Sequence, residues 1–121
     1  MPTSVLFVDD EPMNRTLLPL MLGAAFEVTA CANGAEALAA FDAGTFELVV
    51  LDVMMPPPDG VEICRLLRAR GYGGPVLFMS GWPDAATRER AKAAGGDAFL
   101  ARPFGLEELE RAVAELLQRP P

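Results

Sequence analysis

The stretch "LVVLD", residues 48–52, decides how the whole chain reads. Four apolar residues stand side by side and a carboxylate ends them. A strand with one wet face would alternate apolar with polar residues. An unbroken run reads instead as a strand covered on both faces, and such strands belong to parallel sheets. Four more runs have the same texture: "VLFV" (5–8), "VTAC" (28–31), "VLFM" (76–79) and "AFLA" (98–101).

The segments between the runs carry helical spacing. Leu106, Leu109, Val113 and Leu116 recur at steps of three and four, which places them on one helix face. Leu38 with Phe41, and Val61 with Cys64 and Leu67, behave alike. Residues 83–94 are rich in alanine and charge, which predicts a lightly anchored helix. The first helix is expected to start at Pro12, because proline suits the first helical position. Pro19 lies inside that helical pattern and is expected to kink or shorten it. "GTFE" (44–47) and "GYGGP" (71–75) read as helix exits and turns. The alternation is an α/β pattern, (βα)5. Right-handed crossovers then give a doubly wound parallel five-stranded sheet, in the flavodoxin-like order 2-1-3-4-5.

Composition narrows the function. A chain of 121 residues, 51% apolar, suits one domain with a single core, with 118–121 read as a tail or linker stub. No apolar run approaches the ~20 residues of a membrane span. The N-terminal "MPTSVLFVDD" has no basic segment and meets acids at once, unlike a signal peptide. A net charge of -7 argues against nucleic acid or an anionic membrane as a direct partner. Cys31 and Cys64 sit in apolar stretches and read as buried free thiols, which with the lack of export signals suggests the cytoplasm.

Sheets of this kind bind ligands beyond the carboxyl ends of their strands. There the chain places Asp9, Asp10 and Glu11, then Asp52, then Ser80 and Gly81, then Arg102. The second run ends in Ala32, Asn33 and Gly34, read as a plain turn. Neighbouring first and third strands put Asp9, Asp10 and Asp52 in one pocket, with Ser80 and Arg102 expected on its far side. Three carboxylates repel one another, and a hard divalent cation resolves the conflict. Mg²⁺ suits a few carboxylates plus waters. Such a pocket becomes an anion site, and a phosphoryl group is its natural guest. Asp52 then serves as the nucleophile, Ser80 as a hydrogen-bond donor and Arg102 as a counter-charge. Taken singly, Asp9 and Ser80 read as helix caps, and Arg102 as a surface cation. Together, four strand ends argue for a site.

"VLFVDDEP", "LVVLDVMMPPPDG", "FMSG" and "ARPF" resemble, in order and spacing, the motifs of response-regulator receiver domains of two-component signalling. The resemblance covers essentially the whole chain. It implies that Asp52 is the phosphoacceptor, served by a sensor histidine kinase or phosphotransfer protein. It implies Mg²⁺ at Asp9, Asp10 and Asp52, with Asp10 the more direct of the first two ligands and the backbone carbonyl of Met54 completing the set. Ser80 and Phe99 match the family's switch pair, and Pro103 matches a proline that follows a cis peptide bond. Asp59 and Gly60 match the turn opening the third helix, behind a stiff "PPP". The implied output is a downstream protein bound on the face of the fourth helix, fifth strand and fifth helix. No output domain is read in this chain.

One residue departs from the pattern. The family's cation before that proline is lysine, and here it is Arg102. Arginine is a longer, planar fork that favours paired carboxylate contacts. Either it bridges Asp52 and the phosphoryl oxygens, or it pairs with Asp52 or Asp9 at rest and fills the phosphate's place. The second case describes a degenerate receiver that acts as a phosphorylation-independent interaction module. Met54 and Trp82, apolar where a polar side chain would align water, predict slow loss of the phosphoryl group. A haloacid-dehalogenase-type phosphatase needs a second acid where Met54 stands, and a flavodoxin-type binder needs a phosphate loop where "DDEP" stands. No P-loop motif is present, which argues against a P-loop nucleotidase, and the resemblance implies a regulatory phosphoacceptor domain rather than an enzyme.

Overall fold

The computed structural model describes residues 1–81 and 84–118. Strands and helices alternate as β1 (Thr3–Val8), α1 (Pro12–Leu22), β2 (Phe26–Cys31), α2 (Gly34–Ala43), β3 (Leu48–Asp52), α3 (Gly60–Ala69), β4 (Val76–Ser80), α4 (Ala85–Ala93), β5 (Ala98–Ala101) and α5 (Leu106–Gln118). Every strand pair is parallel and the order is β2-β1-β3-β4-β5. This is the expected doubly wound sheet. Its order reverses between β1 and β3, which pair from Val5–Leu48 to Val8–Leu51.

Alternate side chains of each central strand feed two cores. On one face Leu6, Val8, Val49, Leu51 and Phe78 pack against Ala37 of α2, Ile63 and Leu67 of α3 and Ala91 of α4. On the other, Val5, Phe7, Val50, Leu77 and Met79 meet Leu18 of α1 and Leu109, Val113 and Leu116 of α5. Burial on both faces explains the unbroken apolar runs of β1, β3 and β4. β2 differs from the expectation. It is an edge strand, and Glu27, Thr29 and Ala30 are exposed.

Helix ends follow local chemistry. α1 begins at Pro12 as expected. Pro19 does not shorten it; the helix continues to Leu22, and the Pro19 carbonyl accepts from the Gly23 N–H at 3.0 Å. A proline in the last turn removes only one ladder bond, which the helix tolerates there. Asn33 and Gly34 are not a plain turn: the Asn33 side chain caps α2 by accepting from the Glu36 N–H at 2.9 Å. Asp59 and Glu62 form a reciprocal capping box on α3. α4 is lightly anchored, with Ala91 its buried residue. α5 reaches Gln118, the first residue of the stretch read as a tail, since glutamine is a good helix former; 119–121 lie outside the described residues.

Cys31 and Cys64 are free and buried, and burial pushes both thiols up. Among the described residues, no helix is long and apolar enough to cross a membrane.

Arg68 ties the opposite end of the sheet. It donates to the carbonyls of Tyr72 (2.9 Å), Gly74 (2.6 Å) and Gly95 (2.6 Å) and pairs with Asp97 at 3.1 Å. Asp97 in turn accepts from the Val76 N–H. Arg68→Met removes the donor that the Tyr72, Gly74 and Gly95 carbonyls share. It is expected to cost about 2–4 kcal/mol in urea unfolding, far more than a surface ion pair.

Candidate functional site

The site is built by strand alternation. Phe7 faces the α1/α5 core, so Asp9, two residues on, follows on that face. Val50 leads likewise to Asp52, and Leu100 to Arg102. Phe78 faces the α4 side, and Ser80 follows it there. Arg102 therefore joins the acids instead of standing on the pocket's far side, and Ser80 alone lies toward α4. The period-2 side-chain alternation separates them.

Asp9 is fully buried and held from several directions. Its Oδ1 accepts from the Glu11 N–H at 2.9 Å, which also ties down the start of α1. Its Oδ2 accepts from Asn14 Nδ2 at 3.1 Å and from Arg102 Nη2 at 2.7 Å. Arg102 Nη1 lies 3.4 Å from Asp52 Oδ1, an ion pair too long for a good hydrogen bond. The arginine fork thus spans both acids, with its firm bond on Asp9. The Arg102–Pro103 peptide is cis, and the Arg102 N–H donates to the Ser80 carbonyl at 2.8 Å.

Asp52 is 5% exposed and Ser80 is fully buried. The Asp52 Oδ1 accepts from the Met54 N–H at 3.1 Å. Burial pushes the Asp52 carboxyl up to about 6, with the Asp9 charge adding to the rise. Arg102 and the Met54 N–H oppose that rise. Asp10 is exposed, and one oxygen from each of Asp9, Asp10 and Asp52 falls within 4.8 Å of the others. A buried carboxylate kept short of charge balance, beside two more acids, fits a divalent cation with oxygen ligands. Met54 stands at the rim, 60% exposed. Trp82 lies outside the described residues.

Sequence reasoning missed the parts played by four residues. Asn14 and Arg15 in the first turns of α1 reach back to Asp9, Arg15 through the Asp9 carbonyl at 3.0 Å. The only signal for them was polar residues at the start of a helix that begins at the site. Gly60 acts by lacking a side chain: a Cβ there would collide with the backbone carbonyl of Asp52. Arg88 of α4 stacks on Phe99, with its guanidinium carbon 4.7 Å from the ring centroid.

Residues 5–114 match the family described as the response regulator receiver domain. The chain is 36% identical over 119 residues to the transcriptional regulatory protein TrcR of Mycobacterium tuberculosis, covering 98% of this chain and 46% of that protein. It is 38% identical over 120 residues to the response regulator MprA of Mycolicibacterium vanbaalenii, covering 98% and 52%. The chain thus spans about half the length of these curated relatives. Among solved structures, Vibrio cholerae CheY4 superposes with a TM-score of 0.91 at 29% identity, covering 97% of this chain and 100% of that one. Thermotoga maritima TrrA, in complex with Mg²⁺-BeF, gives 0.83 at 30% identity, covering 95% and 99%. Strand order, clustered acids and family match agree, and the chain belongs to the response regulator receiver domain family.

Proposed function

We propose that Asp52 accepts a phosphoryl group from the phosphohistidine of a sensor kinase or phosphotransfer protein. The observation that carries this reading is the convergence of Asp9, Asp10, Asp52 and Arg102 at the carboxyl ends of the strands. A carboxylate oxygen of Asp52 forms the new P–O bond. The P–N bond of the donor breaks, and its electron pair returns to the imidazole nitrogen. A value near 6 leaves Asp52 ionised at neutral pH and nucleophilic.

Asp9, Asp10 and Asp52 would hold Mg²⁺, with the Met54 carbonyl as a further ligand. The ion supplies charge neutralisation for the phosphoryl oxygens. Arg102 supplies a second counter-charge from the β5 side, and Ser80 a hydrogen bond from the α4 side. The relative TrrA is seen with Mg²⁺-BeF, and the DrrB receiver domain, at 28% identity and a TM-score of 0.89, is described as BeF3 activated. Those findings support the same chemistry here. Ser80 and Phe99 then relay the change to the α4/β5/α5 face, where a downstream protein binds. Apolar Met54 at the rim suits slow loss of the phosphoryl group. The reading is of a cytoplasmic, single receiver domain over residues 1–121 with no chemistry beyond its own phosphorylation and dephosphorylation.

Acetyl phosphate with Mg²⁺, followed by intact mass, tests the reading. One phosphoryl adduct is expected on the wild type and on Arg102→Lys, which keeps a cation in place. An adduct confined to Arg102→Lys would establish the phosphorylation-independent module instead. No adduct on either would remove Asp52 as phosphoacceptor.

A further inference from the structure

β4 and β5 pair with Phe78 opposite Phe99 and Ser80 opposite Ala101. Phe78, Ser80 and Phe99 therefore share the face covered by α4. Phe99 is half-buried there and lines a cleft of about 260 Å³ whose walls include the small residues Ala91, Gly96 and Ala98 and the charged residues Arg88, Lys92 and Asp97. Small residues keep this space open. A Cβ at Gly96 would collide with the Phe78 ring. Over the ring sits the exposed Arg88, its guanidinium carbon 4.7 Å from the centroid. The helix that carries Arg88 has Ala91 as its buried anchor, which marks it as an element that moves at low cost.

We propose that Arg88 is a positioning residue of the switch: stacked on Phe99, it holds the ring in the resting position beside a cleft into which the ring can turn. This rests on the reading of Asp52 and Phe99 above and names the residue that sets the balance. The attraction exists only while the ring presents its face to the guanidinium. Arg88 also lines the cleft, so a ring that turns there loses the attraction by presenting its edge instead of its face. The contact therefore favours the resting state and opposes the phosphorylated one, because only differential contacts shift an equilibrium. Arg88 also has interactions besides the ring, so the test must isolate the pair.

The experiment uses beryllofluoride with Mg²⁺ as the probe, and 4-fluorophenylalanine placed at position 99 to report the ring. Arg88→Met is expected to tighten beryllofluoride binding about 2–5-fold, and Arg88→Lys by less, since an ammonium still attracts the ring. In a Phe99→Leu background the effect of Arg88→Met should vanish, which assigns it to the pair. Without any ligand, the fluorine resonance should move in Arg88→Met and return toward the wild type in Arg88→Lys. Unchanged affinity, or the same tightening in the Phe99→Leu background, overturns the proposal. Should the wild type fail to bind beryllofluoride, the Asp52 reading falls. The resting-state resonance then decides the Arg88 contact alone, and an unmoved line overturns it.

Discussion

Asp52→Asn is expected to abolish phosphoryl uptake and, in chelator, to make the domain more stable. Asparagine has no anionic oxygen to attack phosphorus, yet its Oδ1 can still accept from the Met54 N–H that Asp52 uses. It also removes a charge that burial and Asp9 oppose. The Asp52 carboxyl moves from 3.8 when exposed to about 6 in the fold. A group raised in this way stabilises fully below its unfolded value, and that contribution is lost as pH rises through the folded value. Wild type and Asp52→Asn should thus match most closely near pH 4. The variant should gain as pH climbs to about 6 and hold the gain at neutral pH. A shift of this size is worth roughly 2–3 kcal/mol, or about 10 °C in melting temperature for a domain of this length. Thermal scans across pH in chelator check it. Equal melting temperatures at pH 7 would show that the carboxylate carries no such strain. Mg²⁺ should narrow the gap, because Asp52 then gains a counter-ion.

Gly60→Ala is expected to damage both stability and phosphoryl uptake. The start of α3 crosses directly over the end of β3, and the Gly60 N–H donates to the Val53 carbonyl at 3.3 Å. An added methyl would meet the Asp52 carbonyl oxygen, its carbon and the Val53 Cα. None of these is a flexible side-chain tip, so the backbone bearing Asp52 must shift. A loss of at least ~3 kcal/mol follows from overpacking a rigid site. Phosphoryl uptake should fall by more than tenfold even where the variant stays folded, because a displaced carboxylate loses its alignment with Arg102 and the other acids. Chemical unfolding and the rate of uptake from acetyl phosphate measure the two effects. A folded variant with wild-type uptake would show that α3 does not fix Asp52.

The sheet was legible because β1, β3 and β4 are buried on both faces, and that burial writes itself as unbroken apolar runs. β2 was found for its apolar residues, but its exposed edge could not be read without the strand order. Asp9, Asp10 and Asp52 were legible as strand-end acids at the reversal of strand order. The side of the pocket taken by Arg102 was also latent in the sequence, since strand alternation carries Ala98 and Leu100 on to it. Its bond to Asp9 in preference to Asp52 was not, because that depends on the reach of a guanidinium in three dimensions. Asn14, Arg88 and the close approach at Gly60 were hidden for the same reason. Each acts across elements distant in the chain or folded back on it, and no periodicity records such meetings.

Asp52 itself is expected to carry the phosphoryl group. Borohydride reduces an acyl phosphate to an alcohol, which turns a phosphorylated aspartate into homoserine. The chain is treated with acetyl phosphate and Mg²⁺, reduced with borohydride, and digested for peptide mass analysis. Homoserine is expected at position 52 and at no other acid. Homoserine at Asp9 or Asp10, or none in a chain that has gained a phosphoryl adduct, would contradict this.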